Sequence, residues 1–370
     1  MNPRVLIACG GTGGHIFPAA ALAEKLKQDY PEASILFTGT LNEHMQKLLR
    51  GSGYEVYSVR GKGMPHRLNI LILPFIAKTS LSIFRALRIL LKWRPNLVIS
   101  MGSFSGGPFV VAARLFGVPV LIHEQNLIPG RANRISSYFS NRIATSFHKT
   151  SDFFPKAVRQ RIVFTGNPVR KAILDFSKLK ENYDGSMQYF GFQPGKFTIL
   201  VMGGSQGSRA INKIFVEASK ELDKDKFQIL HLTGMQDSDF VKNSYEKIGI
   251  SGKVFPFLNE MSRAYSVCDL IICRSGAITI AEITSLGLAS ILIPYPYGDA
   301  HQKENANILK NKGAAFVIQE EDLTKESLLD IIKSLSADKI KLDQMKKNSK
   351  DLAMADAAEK LTAEVLGLIK

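Results

Sequence analysis

The sequence predicts an α/β protein of two Rossmann-like domains, each a parallel sheet covered by helices. Three observations carry this. Short runs rich in Val, Ile and Leu alternate with longer segments of helical period, the pattern of sheets buried on both faces. A chain of 370 residues exceeds the usual size of one core. Two glycine-rich turns, Gly10-Gly11-Thr12-Gly13-Gly14-His15 and Gly203-Gly204-Ser205-Gln206-Gly207-Ser208, each follow a strand-like run and lead into a helix. Ligands of open α/β sheets sit beyond the carboxyl ends of the strands, so two such domains facing each other would enclose a cleft.

The first series of strands is expected at Val5 to Cys9, Ser34 to Phe37, Glu55 to Val59, Leu97 to Ser100, Val120 to His123, Arg142 to Thr145 and Ile162 to Thr165. The second is expected at Phe197 to Met202, Phe227 to Leu232, Leu270 to Cys273, Ser290 to Pro294 and Ala315 to Ile318. Between the first two strands a helix is expected from Pro18 to Asp29, with proline at its first position. The polar stretch 166–195 reads as a linker. The domains are therefore 1–165 and 196–350, with a final helical segment, 351–370, expected to pack back on the first domain.

Composition narrows the partners. Hydrophobic content of 45% and charged content of 22% are ordinary for an ordered globular chain. The net charge of +15 is unevenly spread: residues 1–165 hold 21 Lys+Arg against 7 Asp+Glu, and the remainder 27 against 26. That asymmetry points to an anionic partner for the first half, whether nucleic acid, an acidic membrane surface or a phosphorylated acceptor. Cys9, Cys268 and Cys273 end apolar runs without metal-ligand spacing and read as buried, reduced thiols. Met1-Asn2-Pro3 leads directly into the first strand, so no signal peptide is expected. The most apolar stretch, Asn69 to Phe84, is interrupted by Pro74 and Lys78, short of the ~20 apolar residues of a spanning helix.

Glycine loops let a backbone approach phosphate oxygens, yet tight strand-to-helix turns also need glycine for steric reasons alone. Spacing excludes two ligand classes. The first loop lacks Gly-x-Gly-x-x-Gly and an acidic residue after the second strand, so a dinucleotide dehydrogenase is disfavoured, and no Gly-Lys-Ser/Thr marks a P-loop. A third turn, Cys273-Arg274-Ser275-Gly276-Ala277-Ile278-Thr279-Ile280-Ala281-Glu282, sets Glu282 about one and a half turns into a helix, where a carboxylate can accept both hydroxyls of a ribose. Two Asp-x-Asp triplets, Asp223/Asp225 and Asp237/Asp239, lie in hydrophilic segments and read as turn and capping residues, so neither a catalytic metal nor any other cofactor is expected.

These motifs, together with His123-Glu124-Gln125-Asn126, Gly166-Asn167-Pro168-Val169-Arg170 and His301-Gln302 followed by Asn305-Ala306, give the chain a resemblance over its whole length. It resembles the MurG family, the N-acetylglucosaminyltransferases of peptidoglycan synthesis, which have the GT-B fold. The resemblance implies inverting transfer of GlcNAc from UDP-GlcNAc to the C4 hydroxyl of undecaprenyl-pyrophosphoryl-MurNAc-pentapeptide (lipid I), giving lipid II. It implies His15 as the base, with His123 or Glu124 as rivals or helpers. Thr12, Gly13, Gly14, Asn126 and Gln302 would contact the donor near its sugar, and Arg170 and Ser205 its pyrophosphate. Leu258 and the turn Ala277, Ile278, Thr279, Ile280 and Ala281 would hold the uracil and helix start, and Glu282 the ribose.

From Pro74 to Lys92 a helix is expected whose Lys78, Arg85, Arg88 and Lys92 share one arc, at about 100° per residue, while Ile76, Ile83, Leu87 and Leu90 share the other. Leu81 and Ile89 fall within the basic arc, and Trp93 closes the segment. Apolar residues ringed by cations suit an anionic bilayer surface, with Leu81, Arg85, Arg88, Ile89 and Lys92 as contacts, and the resemblance implies that this is the inner leaflet at the cytoplasmic face of the cell membrane. Two rivals stand beside this reading: a GT-B enzyme with another lipid or small-molecule acceptor, and a non-catalytic nucleic-acid-binding protein. The second leaves the glycine loops and Glu282 without a task and lacks a basic, aromatic-rich strand, so no nucleic-acid partner is expected.

Overall fold

A computed structural model describes residues 2–10, 13–59, 72–176, 180–297 and 301–369, with backbone alone for 72–79 and 180. The chain divides into two compact units, Met1–Arg170 with Ala355–Lys370, and Lys171–Met354.

In the first unit the strands are β1 (Arg4–Ala8), β2 (Ser34–Gly39), β3 (Glu55–Ser58), β4 (Leu97–Ser100), β5 (Val120–Glu124), β6 (Arg142–Thr145) and β7 (Ile162–Phe164), all parallel, in the order β3-β2-β1-β4-β5-β6-β7. The chain order reverses between β1 and β4. The helices are α1 (Gly13–Asp29), α2 (Glu43–Gly51), α3 (Ile72–Trp93), α4 (Gly107–Leu115) and α5 (Arg131–Ser136). Alternation along β1 divides the core: Val5 and Ile7 join the cluster built with α1 and α2, and Leu6 and Ala8 the cluster built with α3 and α4. Pro18 is the sixth residue of α1 rather than its first. A ring there withholds one N–H and crowds the carbonyl four residues back, which belongs to Gly14.

The second unit begins with two helices, α6 (Lys171–Phe176) and α7 (Lys180–Phe190), in the stretch read as a linker. Ile173, Met187 and Phe190 are buried, which anchors both helices to this unit. Strands β8 (Phe197–Met202), β9 (Phe227–Leu232), β10 (Gly252–Phe255), β11 (Leu270–Cys273), β12 (Ala289–Leu292) and β13 (Ala315–Val317) pair in parallel in the order β10-β9-β8-β11-β12-β13. The order again reverses beside the first strand, between β8 and β11. The helices are α8 (Arg209–Ser219), α9 (Ser238–Ile248), α10 (Met261–Val267), α11 (Ala277–Leu286), α12 (His301–Asn311), α13 (Lys325–Ala337) and α14 (Lys339–Lys350). A last helix, α15 (Ala357–Leu368), returns to the first unit, where Leu361 and Val365 are fully buried in the cluster that holds α1.

A buried polar knot in the second unit makes its stability depend on pH. The Asn212 amide donates to the Thr233 carbonyl and to Asp237, so its oxygen faces His231 Nε2 at 3.0 Å, while the Tyr245 hydroxyl meets Nδ1 at 2.7 Å. Burial pushes the imidazole pKa down to about 3. An unfolded chain takes up that proton near pH 6.5, before the folded one does, so stability falls as pH drops from about 6.5 toward 3, by roughly 1.4 kcal/mol per pH unit. Urea unfolding at several pH values between 7 and 5 should give a stability slope in the wild type that is smaller by about one bound proton, roughly 1.4 kcal/mol per pH unit, in His231→Gln. Equal slopes would show that His231 does not supply it.

Candidate active site

Two clusters of the sequence motifs form, each at the carboxyl end of a sheet and beside its order reversal. The first gathers around His15, the third residue of α1, whose ring is half-buried. Gly102 follows β4 with φ +95°, and a Cβ there would lie 2.9 Å from the Asn133 amide nitrogen and 3.4 Å from His15 Cε1. Only glycine fits that conformation with the imidazole packed against it. His15 Nδ1 lies 3.2 Å from Gln125 Oε1, and the other end of the Gln125 amide lies 2.9 Å from His123 Nδ1. His123, fully buried at the end of β5, meets the Gly166 carbonyl through Nε2 at 3.0 Å. Burial lowers the pKa of His15, against the opposing pull of the Glu124 charge, and lowers that of His123 to about 4.

Glu124 itself is buried and heavily bonded. Its Oε1 accepts from the Asn126 backbone N–H at 2.9 Å and side-chain amide at 3.2 Å, and its Oε2 from Gly130 N–H at 3.1 Å and the Asn133 amide at 2.8 Å. The carboxylate thus ties the loop after β5 to α5. Arg170, last in the first unit, sets its guanidinium over the Phe17 ring of α1, 4.3 Å from the centroid. Gly13 and Gly14 open α1, and Thr12 lies outside the described residues.

The second cluster occupies the ends of β8, β11 and β12. The turn after β8 exposes Ser205 and then folds back so tightly that a Cβ on Gly207, at φ +75°, would stand 2.1 Å from the Thr233 carbonyl oxygen. This glycine is therefore a steric requirement, and the loop presents the N-terminus of α8. Ser208 caps that helix and accepts from Arg274 at 2.7 Å. Arg274 also donates to the Ile293 and Pro294 carbonyls and pairs with Glu320, so one buried guanidinium joins the ends of three strands. Ser275 Oγ donates to the Gln302 carbonyl at 2.8 Å, and the Gln302 side-chain oxygen accepts from Tyr295 N–H at 3.0 Å. Ala277, Ile278, Thr279, Ile280 and Ala281 form the first turns of α11, with Ala277, Thr279 and Ile280 buried, and Leu258 is buried after β10 at the same end of the sheet. Glu282 is also buried, and its Oε2 accepts from the Tyr265 hydroxyl at 2.6 Å.

Tyr265, Arg274 and Gln125 are residues to which the motifs gave no role. Arg274 and Gln125 stand inside quoted motifs, but nothing in Tyr265, a lone aromatic on α10, could have signalled its contact. Asp223 accepts from Asp225 N–H and pairs with Lys226, and Asp237 accepts from Asn212. Among the described residues, no three His, Cys, Asp or Glu side chains are clustered as a metal would require.

On α3 the basic arc is exposed at Arg85, Arg88 and Lys92, together with Leu81, Phe84 and Leu91. Ile89 departs from expectation: it packs partly against the apolar cluster under α3 and α4. Trp93 is likewise engaged, with Arg4 stacked on its ring and its indole N–H donating to Glu55 at 3.3 Å. The side chains of Ile76 and Lys78 lie outside the described residues. Among the described residues, no helix is long and apolar enough to cross a membrane.

Two Rossmann-ordered units, each with its motifs at the switch point of its sheet, are the architecture of the GT-B glycosyltransferases, and the family matches give that class. Residues 5–145 match the glycosyltransferase family 28 N-terminal domain and 198–361 the family 28 C-terminal domain. The chain belongs to the MurG family, the UDP-N-acetylglucosamine–N-acetylmuramyl-(pentapeptide) pyrophosphoryl-undecaprenol N-acetylglucosamine transferases. A relative of that name from Thermoanaerobacter sp. (strain X514) is 38% identical over 363 residues, 97% of this chain and 98% of the relative. Another, from Geobacter sp. (strain M21), is 37% identical, covering 98% of this chain and 95% of its own. The crystal structure of Acinetobacter baumannii MurG aligns with TM-score 0.74 and 28% identity over 99% of both chains. A UDP-GlcNAc 2-epimerase from Neisseria meningitidis, at 17% identity and TM-score 0.71 over 98% of this chain and 100% of its own, shares the fold alone.

Proposed function

We propose that this protein moves GlcNAc from UDP-GlcNAc to the C4 hydroxyl of undecaprenyl-pyrophosphoryl-MurNAc-pentapeptide with inversion, making lipid II from lipid I. The near-full-length identity to transferases named for that donor and acceptor carries the reading. The reaction needs a base for the acceptor hydroxyl, and donors for the charge that builds on departing UDP. His15 suits the first task, being half-buried and kept neutral by desolvation. Glu124 suits it less, since four hydrogen bonds occupy both of its oxygens. For the donor, the Ser205 turn before α8 and the Arg170 guanidinium would meet the pyrophosphate, with Gly13, Gly14, Asn126 and the Gln302 amide near the sugar. The α11 start and Leu258 would hold the uracil, and Glu282 the ribose. The decisive experiment is to incubate the protein with labelled UDP-GlcNAc and a lipid I analogue: a disaccharide lipid is expected, and transfer to another acceptor in preference would reassign the enzyme.

The acceptor is a lipid, and the exposed arc of α3 fits the surface that holds it. Leu81 with the cations Arg85, Arg88 and Lys92 would dock a peripheral enzyme on an anionic leaflet, the cytoplasmic face of the membrane, and the exposed Phe84 and Leu91 extend the set. Each cation near such a surface contributes about 1 kcal/mol, so the combined Arg85→Gln, Arg88→Gln and Lys92→Gln variant should bind vesicles containing anionic lipid roughly 10²-fold more weakly. Flotation with anionic and with neutral vesicles measures it. Equal flotation of wild type and variant would remove α3 from the membrane.

A further inference from the structure

We propose that Gln125 is a positioning residue that fixes His15 in the tautomer with its proton on Nδ1 and its lone pair on Nε2. The inference rests on the reading of His15 as the base. It follows from a chain of bonds in which each link allows one orientation.

The chain starts at two backbone carbonyls, which can only accept. The Gly166 carbonyl lies 3.0 Å from His123 Nε2, so that nitrogen carries a proton. The carbonyl of His123 lies 3.2 Å from the Gln125 side-chain nitrogen, so the amide must present its NH2 group on that side. The same NH2 meets His123 Nδ1 at 2.9 Å, which therefore accepts, and His123 is neutral. Burial that holds its pKa at about 4 agrees with this. Flipping the amide would set an oxygen against the His123 carbonyl, acceptor against acceptor. With the flip excluded, Gln125 Oε1 faces His15 Nδ1 at 3.2 Å and accepts from it. A neutral imidazole protonated on Nδ1 has its lone pair on Nε2.

A base must offer a lone pair toward the proton it takes, and a histidine in water prefers the opposite tautomer. The fixed carbonyl of Gly166 thus acts through His123 and Gln125 to hold His15 ready. The other groups facing this imidazole are Glu124, whose charge raises its pKa, His123, whose own pKa the His15 charge lowers, and the Met101 carbonyl after β4, which can only accept: on Nδ1 it would share the proton that Gln125 takes, and on Nε2 it would oppose Gln125.

The test reads the tautomer directly. In the full-length protein labelled with ¹⁵N-histidine, near pH 8, the ring signals lost in His15→Gln identify His15. Protonated Nδ1 and bare Nε2 are expected in the wild type, and the reverse pattern there overturns the proposal. Gln125→Leu should shift His15 toward the Nε2-protonated form and lower kcat at least tenfold with donor KM unchanged. Gln125→Glu keeps an acceptor at Nδ1 and, with its carboxyl protonated on the oxygen that faces the His123 carbonyl and Nδ1, keeps the donor on that side as well, so it should retain the tautomer and more of the kcat than Gln125→Leu. A merely structural role gives the opposite order, because a carboxylate buried there disturbs packing more than leucine does. Unchanged kcat in Gln125→Leu with a shifted tautomer would also overturn the proposal. If the wild-type tautomer is as stated but His15→Ala turns over normally, the base reading fails, and the positioning role with it, although the bonding chain stands.

Discussion

Replacing His15 with alanine should lower turnover by roughly 10² to 10⁴, the usual worth of a positioned general base, while UDP-GlcNAc affinity stays nearly unchanged. The asymmetry follows from where the two tasks lie. His15 opens α1 in the first unit, and the groups assigned to uracil and ribose all belong to the second. Calorimetry with UDP-GlcNAc and steady-state rates with a lipid I analogue separate the two quantities. A change confined to acceptor KM would make His15 a binding residue, since loss of transition-state stabilisation lowers kcat. Glu124→Gln needs a different interpretation. An amide in place of that carboxylate turns an NH2 toward N–H groups of Asn126, Gly130 or Asn133, so the loop after β5 would loosen and thermal stability would fall along with rate. A rate loss in Glu124→Gln without a stability loss would point to Glu124 as the base.

Strands with long apolar runs were legible in the sequence to within two residues at either end. Val120 to His123, for instance, extends by one residue to Glu124. β10 was not, because Gly252-Lys253-Val254-Phe255 is an edge strand with no continuous apolar run. The helices α6 and α7 were masked by polar residues, since their burial rests on a few positions such as Ile173, Met187 and Phe190. On α3 the helical arc separated the buried Leu90 from the exposed cations, yet an arc cannot tell which borderline residue a neighbouring helix covers. Ile89 is partly covered, and Phe84 and Leu91 are open. Candidate site residues could be named from the sequence where they sat in contiguous motifs, and the structure gathers those motifs at the carboxyl ends of the two sheets. Contacts between residues far apart in sequence, such as Tyr265 with Glu282 or Arg274 with Glu320, leave no spacing signal and emerge only when the strands are laid side by side.

Glu282→Gln should weaken binding of UDP and UDP-GlcNAc about 10- to 100-fold, from loss of a charge-assisted hydrogen bond of roughly 1.5–3 kcal/mol to the ribose. Glutamine is the informative substitution because it keeps the side chain's size and still offers an oxygen to the Tyr265 hydroxyl, whereas alanine would leave that buried hydroxyl without its partner. The ribose contact is the same in ground and transition states, so donor KM should rise while kcat holds. Tyr265→Phe removes only the group that orients the carboxylate and should cost less than tenfold in affinity. The sharper measurement compares UDP with 2′-deoxy-UDP by calorimetry in the wild type and in Glu282→Gln. If the carboxylate grips the ribose, the wild type discriminates between the two ligands and the variant discriminates less, the difference being the coupling between that side chain and that hydroxyl. Equal discrimination in both proteins would mean that Glu282 touches no 2′-hydroxyl. Its bond to Tyr265 would then serve only to fix α10 against α11, and the ribose would need another partner.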